Sequence, residues 1–367
     1  MQPHRSSATL LALVFALLIA YASLYPFEGW RDQGINPLYF LNAPWPRYWS
    51  RFDIAANFVG YMPLGFLTTL ALLRTRLLPQ PAVLAALGCA VLSVLLEALQ
   101  SYLPQRVPQL SDFLLNSGGA LAGAVLAVAM ERLGAIDYWS RFRARWFVRD
   151  ARAPLVLLAL WPAALLFPPA VPLSLGQIQQ RLHGLINQLA INTPFAVLIE
   201  EPSAYLLPMS QYGELLCVAL GFAIPCLLAY SATVGWHRRL MVFSCGIVVA
   251  LGASSLSAAM SYSPEHAWGW LSFPVQVGLG MGMALALACI PAPRKLCLAL
   301  LLAALVWQLS LVNAVPATPY YAQTLQSWEQ GSFIRFHGLA QWLGWLWPYA
   351  ALLTALMALV RRDSSVR

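Results

Sequence analysis

The chain has 367 residues, of which 60% are hydrophobic and only 10% are charged, and its formal net charge is +8. Soluble domains carry about a quarter charged residues, so this composition excludes an ordinary soluble globular protein. The basic residues lie in short segments between apolar blocks rather than in one patch, which argues against nucleic-acid binding. We therefore predict an all-α fold, a polytopic helical membrane protein.

Apolar blocks recur along the whole chain, and each is close to the roughly 20 residues that cross a hydrocarbon core as a helix. The sequence predicts about ten transmembrane helices, with approximate cores at 8–26, 54–73, 81–101, 112–130, 154–172, 212–233, 240–261, 269–290, 296–315 and 338–360.

The first block has two interpretations. His4 and Arg5 precede it and Ala20-Tyr21-Ala22 resembles a cleavage site, as in a secretory signal peptide. The apolar stretch continues to about Pro26, which favours a retained helix.

Charge predicts the orientation. With the N-terminus inside, the predicted cytoplasmic segments hold 16 of the 22 Lys and Arg residues. The other six are Arg31, Arg47, Arg51, Arg106, Arg181 and Arg335. Because Lys and Arg concentrate in cytoplasmic loops, we predict that both termini are cytoplasmic.

The predicted outer segments include two aromatic loops, 27–53 and 316–337, with the composition of a membrane interface. Residues 174–190 are expected to form an amphipathic helix that lies flat in this interface. Its apolar face consists of Leu175, Ile178, Leu182, Leu185 and Leu189.

A basic stretch, 131–153, separates a four-helix domain at 1–130 from a six-helix domain at 154–367. The second domain is interpreted as a degenerate repeat of the first plus a helix pair, because a shift of 160 aligns SYLP at 101–104 with SYSP at 261–264. Chance similarity between apolar helices is the alternative. The polar residues are concentrated in the first copy, so a single active centre is expected there.

Those polar residues recur at helical spacing near the outer ends of spans two, three and four, and ionisable groups inside a membrane usually serve function. The predicted ligand-binding residues are Asp53, Asn57, Tyr61, Glu97, Gln100, Arg106, Asp112 and Asn116. Glu97 and Asp112 are candidate general bases. The alternatives are helix caps at Asp53 and Asp112 and a structural Arg106–Glu97 ion pair. No metal spacing or cofactor motif is found, and no cofactor is predicted.

Three sequence patterns carry a family resemblance: DIAANFVGYMPLGF at 53–66, EALQSYLPQR at 97–106 and DFLLNSGG at 112–119. In this order and spacing they resemble the VanZ-like family over roughly residues 10–130. The family is named for a membrane protein that raises resistance to the glycopeptide teicoplanin, and some members resemble products of envelope or exopolysaccharide loci. The resemblance implies a cell-envelope role in a bacterial cytoplasmic (inner) membrane, but it supplies no reaction.

Three functions remain open at this point. The first is an outer-facing site that binds a membrane lipid, a lipid-linked glycan or a cell-wall precursor, with Arg106 pairing with an anionic group. The second is an outer-leaflet transferase or hydrolase that acts on such a lipid. The third is a transporter or flippase, which the repeat favours. Envelope-biosynthesis proteins are candidate partners.

Overall fold

The computed structural model describes residues 7–25, 27–44, 51–75, 79–179, 182–183, 186, 209–262, 264–314 and 334–360. These residues form two compact units that divide between Ala144 and Arg145. Helices dominate both units, and the described residues contain no strand beyond an isolated bridge between Phe147 and Thr233.

The described residues of the first unit form four apolar helices, and an amphipathic helix follows them in the chain across residues 144 and 145, where the two units divide. Their bounds are α1 Ser7–Leu24, α2 Arg51–Thr75, α3 Pro81–Gln100, α4 Leu110–Arg132 and α5 Ala135–Trp146. A short 3-10 helix, Tyr39–Asn42, lies in the loop between α1 and α2.

The described residues of the second unit form six apolar helices and a 3-10 turn at Pro264–His266. The bounds of these helices are α6 Arg152–Leu165, α7 Gln211–Ala232, α8 Trp236–Tyr262, α9 Phe273–Ala288, α10 Arg294–Asn313 and α11 Ile334–Val360.

The predicted fold class is confirmed. Seven helices in the described part of the chain are long and apolar enough to cross a membrane. Three shorter apolar helices, α1, α6 and α9, occupy the other three predicted spans. The chain is a polytopic helical membrane protein.

Local chemistry explains several helix ends. Ser210 accepts a hydrogen bond from Gly213 N over 3.1 Å and caps the start of α7. Pro81 occupies the first position of α3. A backbone N–H at this position has no partner within the helix, so proline, which lacks the N–H, costs no hydrogen bond there. Helix α6 ends at Leu165, although the predicted span ran to 172. Three prolines follow within seven residues, and proline cannot donate to a continuing helix.

Helices α2 and α4 pack backbone against backbone. A Cβ atom added at Gly119 would lie 2.0 Å from Phe58 O, and one added at Gly123 would lie 1.9 Å from Met62 O. On the other side of the contact, a Cβ at Gly65 would lie 2.0 Å from Ala120 O. Small residues allow this approach, as they do in other membrane helix pairs.

Helix α7 is the centre of the second unit. In its membrane-length window 89% of the residues are buried, against 22–44% in the other six long helices. Helix α9 packs closely along it, since Gly278 faces Leu215 O and Gly282 faces Ala219 O.

The structure changes two expectations about connecting segments. The predicted amphipathic helix does not begin at 174, because residues 174–178 are not helical, Gly176 has φ +104° and Leu175 is buried in the core. The basic stretch 131–153 contains a helix, α5, that the sequence analysis did not predict. Residues 316–333 of the second aromatic loop lie outside the described residues. The same holds for residues 45–50 of the first aromatic loop.

Candidate functional site

A cluster of polar side chains lies between α2, α3 and α4, near the end of the first unit where α3 stops and α4 starts. Its members are Tyr61, Ser93, Glu97 and Asn116, hereafter the polar cluster, and each is at most 5% exposed. Glu97 is three residues from the end of α3 and Asn116 six residues from the start of α4. By helix rise these depths are about 5 and 9 Å.

The close packing of α2 and α4 brings the cluster together. Gly119 is one turn after Asn116, and Phe58 is one turn before Met62 on the face of α2 that meets α4. The absence of side chains at the glycines lets the helices approach until Tyr61 and Asn116 both face α3. Asn116 Nδ2 donates to Ser93 Oγ over 3.0 Å.

Several acceptors in this region remain unused. Tyr61 Oη, Asn116 Oδ1 and the neighbouring Ser117 Oγ are buried and make no hydrogen bond of normal geometry to any part of the chain that the structure describes. The Tyr61 hydroxyl is nevertheless next to Ser93 and within electrostatic range of Glu97. Buried polar atoms are rarely left unpaired, so these atoms mark a place where a ligand or water completes the bonding.

Glu97 also has a structural contact. Its Oε2 accepts a hydrogen bond from Gln109 N over 3.1 Å, at the residue that precedes α4. Gln109 itself makes no side-chain capping bond. The Glu97 carboxylate therefore lies at the start of α4, where the first backbone N–H groups have no partner within the helix.

Arg106 and Gln100 bind the end of α1. Arg106 donates from Nε to Tyr25 O over 3.0 Å and from Nη2 to Ala22 O over 3.3 Å. Gln100 Nε2 donates to Ser23 O over 3.0 Å. The last carbonyls of a helix have no partner within it, so these two side chains serve as its C-terminal cap.

The loop before α2 is fixed to the same end of the unit. Arg31 N donates to Tyr102 O over 3.0 Å, and Gln33 Nε2 donates to Ser101 O over 2.7 Å. Both acceptors belong to the turn between α3 and α4. This turn therefore supports α1, through Arg106, and the aromatic loop at once.

Of the eight predicted site residues, the structure brings Tyr61, Glu97 and Asn116 together in the polar cluster. Asn57 is half-buried one turn earlier in α2, and Asp112 is half-buried in the first turn of α4. Asp53 lies in the first turn of α2, and its side chain lies outside the described residues. Gln100 and Arg106 donate hydrogen bonds to backbone carbonyls at the end of α1.

The sequence prediction missed two features. Ser93 was not among the predicted ligand-binding residues, although its position one turn before Glu97 places it on the same helix face. The end of α1 was not predicted to take part, because its contribution consists of backbone carbonyls. No side-chain pattern signals such a contact.

Comparison with known families supports the sequence resemblance. Residues 5–131 match the family model described as VanZ/LLP1. This segment contains the whole polar cluster, so the predicted VanZ-like segment is confirmed. Comparisons with curated proteins and with solved structures gave no match.

Proposed function

We propose that this multi-pass membrane protein binds the polar headgroup of a membrane lipid, such as a lipid-linked sugar or a cell-wall precursor, at the polar cluster. The observation that carries the proposal is the set of unused buried acceptors, Tyr61 Oη and Asn116 Oδ1, beside the Glu97 carboxylate. Together they offer oxygen atoms to a ligand that brings hydroxyl or amide donors.

Energetics supports a ligand at this place. A buried polar group without a partner destabilises a fold by about 1–3 kcal/mol. Hydrocarbon around the helices supplies no hydrogen bonds, so the chain gains nothing by exposing these groups to lipid. A sugar hydroxyl that donates to Tyr61 Oη or Asn116 Oδ1 would recover that free energy on binding.

The remaining residues have distinct roles in this proposal. Asn57, one turn from Tyr61, extends the row of hydrogen-bonding groups along α2. Asp53 and Asp112 stand at the starts of their helices, where a ligand would enter. Gln100 and Arg106 act as positioning residues that fix α1 beside the site, rather than as the primary clamp on an anion.

The setting of the proposal is the envelope of a bacterium, with the protein in the cytoplasmic membrane and the site near its outer face. The VanZ/LLP1 match over residues 5–131 supports a VanZ-type role. Glycopeptide (teicoplanin) resistance and exopolysaccharide production are the roles that this family suggests. In either role, a protein that binds a lipid-linked glycan or precursor would change how much of that lipid is available for envelope synthesis.

One observation favours an enzymatic alternative. The buried Glu97 carboxylate and the Tyr61 hydroxyl lie within electrostatic range of each other. A carboxylate in that position can accept a proton from a substrate hydroxyl, as a general base does in a transferase or hydrolase. A role as a flippase has its own support, because the two units share a helix pair of the same geometry.

Lipids that co-purify with the protein test the proposal. Tyr61→Phe removes only a hydroxyl whose internal contact is the one with Ser93, so we expect at most a small loss of thermal stability. Retention of the lipid, measured by mass spectrometry, should fall by roughly two- to tenfold, the equivalent of one hydrogen bond. Tyr230→Phe is the matched control, because Tyr230 is also a buried tyrosine but lies in the other unit. Equal lipid profiles in wild type and Tyr61→Phe would contradict the proposal.

A further inference from the structure

The second unit contains a pocket to which neither the family match nor the polar cluster assigns a role. It encloses about 630 Å³ between the start of α7, the end of α8, the start of α9 and the loop 168–173. A volume of this size suits a small ligand or a lipid headgroup.

The pocket lies where the second unit repeats the geometry of the first. In the first unit, Gly119 and Gly123 face the carbonyls of Phe58 and Met62. In the second, Gly278 and Gly282 face the carbonyls of Leu215 and Ala219. In both cases two glycines four residues apart meet two carbonyls four residues apart. Helix α7 therefore corresponds to α2, with each residue of α2 matched by the residue 157 positions later. Helix α9 corresponds to α4 with an offset of 159 positions.

The third helix of each unit explains the opening in the second unit. Helix α3 lies against α4 along much of its length, so the polar cluster is closed in on that side. Helix α8 packs mainly on α6 and α7 and contacts α9 only slightly. The space left between α8 and α9 is the pocket.

The same correspondence shows how the chemistry has changed. Asn116 corresponds to Val275 and Tyr61 to Val218, and both valines are buried. The floor of the second site is therefore apolar. Asn57 corresponds to Glu214, so a carboxylate stands at the mouth where the first unit has an amide.

The lining favours a positively charged ligand. Glu214 is the one carboxylate among the described lining residues, and they include no lysine or arginine. The indole N–H of Trp270 donates to Ser255 Oγ over 3.2 Å, which fixes the ring in the pocket wall. Tyr262 and His266 also line the pocket. A carboxylate together with aromatic rings is an arrangement that recognises ammonium groups.

We propose that this pocket is a second binding site and that it takes an ammonium group, carried by a lipid headgroup or by a free amine. An anionic ligand would meet Glu214 without a compensating lysine or arginine from the described lining. A neutral sugar would leave the carboxylate charge without a counter-charge once water is displaced, which is unfavourable. An ammonium group supplies both the charge and the hydrogen-bond donors. This proposal does not depend on a ligand in the polar cluster.

The test uses the full chain in nanodiscs of phosphatidylglycerol doped with a few per cent of either phosphatidylethanolamine or a glucosyl diacylglycerol. Native mass spectrometry then measures which lipid the protein retains. We expect phosphatidylethanolamine to be retained, and Glu214→Gln to weaken its retention about tenfold, as expected for loss of a charged hydrogen bond. Glu265→Gln is the control, because Glu265 is an exposed carboxylate near the pocket that does not line it.

A second variant and a second probe complete the test. Ser272→Trp fills the mouth from an exposed position whose hydroxyl makes no capping bond, so the fold should persist while retention of phosphatidylethanolamine is lost. Added ethanolamine separates the two sources: competition shows that the free amine is sufficient, and no competition shows that the lipid is required. Equal retention by wild type and Glu214→Gln, or preferential retention of the glucosyl lipid at this site, would overturn the proposal.

Discussion

Asn116 Nδ2 donates a hydrogen bond to Ser93 Oγ over 3.0 Å, while Asn116 Oδ1 has no partner among the described residues. One half of the amide thus ties α4 to α3, and the other half remains available. The bond to Ser93 holds the amide in place, so that its oxygen is already oriented before a ligand arrives. Such preorganisation reduces the free-energy cost of binding.

Replacement of this amide should therefore affect stability and binding together. Asn116→Leu removes the bond to Ser93 and the free acceptor. We expect the free energy of unfolding to fall by about 1 kcal/mol, the usual net value of one internal hydrogen bond, and lipid retention to fall about tenfold. Gln276→Leu, at an exposed amide in α9, should leave lipid retention at the polar cluster unchanged. Wild-type retention by Asn116→Leu would show that the amide is only structural.

The close contact between α2 and α4 gives a prediction about stability. The Cβ atom of Gly119→Ala would lie 2.0 Å from Phe58 O, so the helices must separate. We expect a loss of about 1–3 kcal/mol, as for overpacked cores, and a lower melting temperature in detergent. Gly118→Ala is the control in the same helix, since its Cβ would lie 3.5 Å from the nearest ring atom of Phe58, an ordinary contact. Because alanine favours helix over glycine, Gly118→Ala should be neutral or stabilising. Equal melting temperatures for the two variants would contradict the observed packing.

Arg106 gives a test of its positioning role. Arg106→Ala should free the carbonyls of Ala22 and Tyr25, so backbone amides near the end of α1 should exchange hydrogen faster. The expected loss of stability is about 2 kcal/mol, because a charged donor is removed. Arg106→Lys should restore only part of it, since an ammonium lacks the planar fork that reaches two carbonyls. Unchanged exchange at residues 21–25 in Arg106→Ala would show that these bonds do not fix α1.

Helices were predictable from this sequence because apolar blocks of membrane length are a strong signal, and all ten predicted spans coincide with apolar helices. Their ends were harder to predict. The fifth span was predicted too long, because the apolar character of residues 154–172 as a whole hides the three prolines at 168, 169 and 172 that follow the end of the helix. The start of the amphipathic segment was wrong for a related reason: Leu175 has the helical spacing, but it packs into the core beside Gly176 with its positive φ.

The site was predictable where its residues share a helix face, as Asn57 and Tyr61 do in α2. The contact of Arg106 with α1 was not predictable, because it is made to backbone carbonyls of α1 some 80 residues earlier in the chain. The pocket around Glu214 was also missed. It results from a displacement of α8 away from α9, and no local residue pattern encodes the distance between two helices.

Glu97 provides the test that separates binding from catalysis. Glu97→Gln keeps an oxygen that can accept from Gln109 N, so the fold should be retained. If Glu97 binds the headgroup, the substitution should lower lipid retention severalfold, because charged acceptors form stronger hydrogen bonds. If Glu97 is a general base, the substitution should leave lipid bound without any product. Lipid retention and product release in one preparation, compared with wild type, distinguish the two functions.

Orientation is a prediction that rests on charge alone. The predicted inner side holds 16 of the 22 Lys and Arg residues. A cysteine in place of Ser140, on that side, should therefore be protected from an impermeant thiol reagent in intact cells. A cysteine in place of Gln33, in the predicted outer loop, should react. The cysteine-free protein is the background for both. The opposite labelling pattern would place the polar cluster at the cytoplasmic face.

A structure of the protein purified with its native lipids would show whether the unused acceptors of the polar cluster bind a polar headgroup. We expect ligand density with a donor atom about 2.7–3.2 Å from Tyr61 Oη or Asn116 Oδ1, the range of normal hydrogen bonds. We also expect this density to be lost in Asn116→Leu. Density for acyl chains against these atoms, or for water alone in a preparation that retains lipid elsewhere, would contradict the proposal.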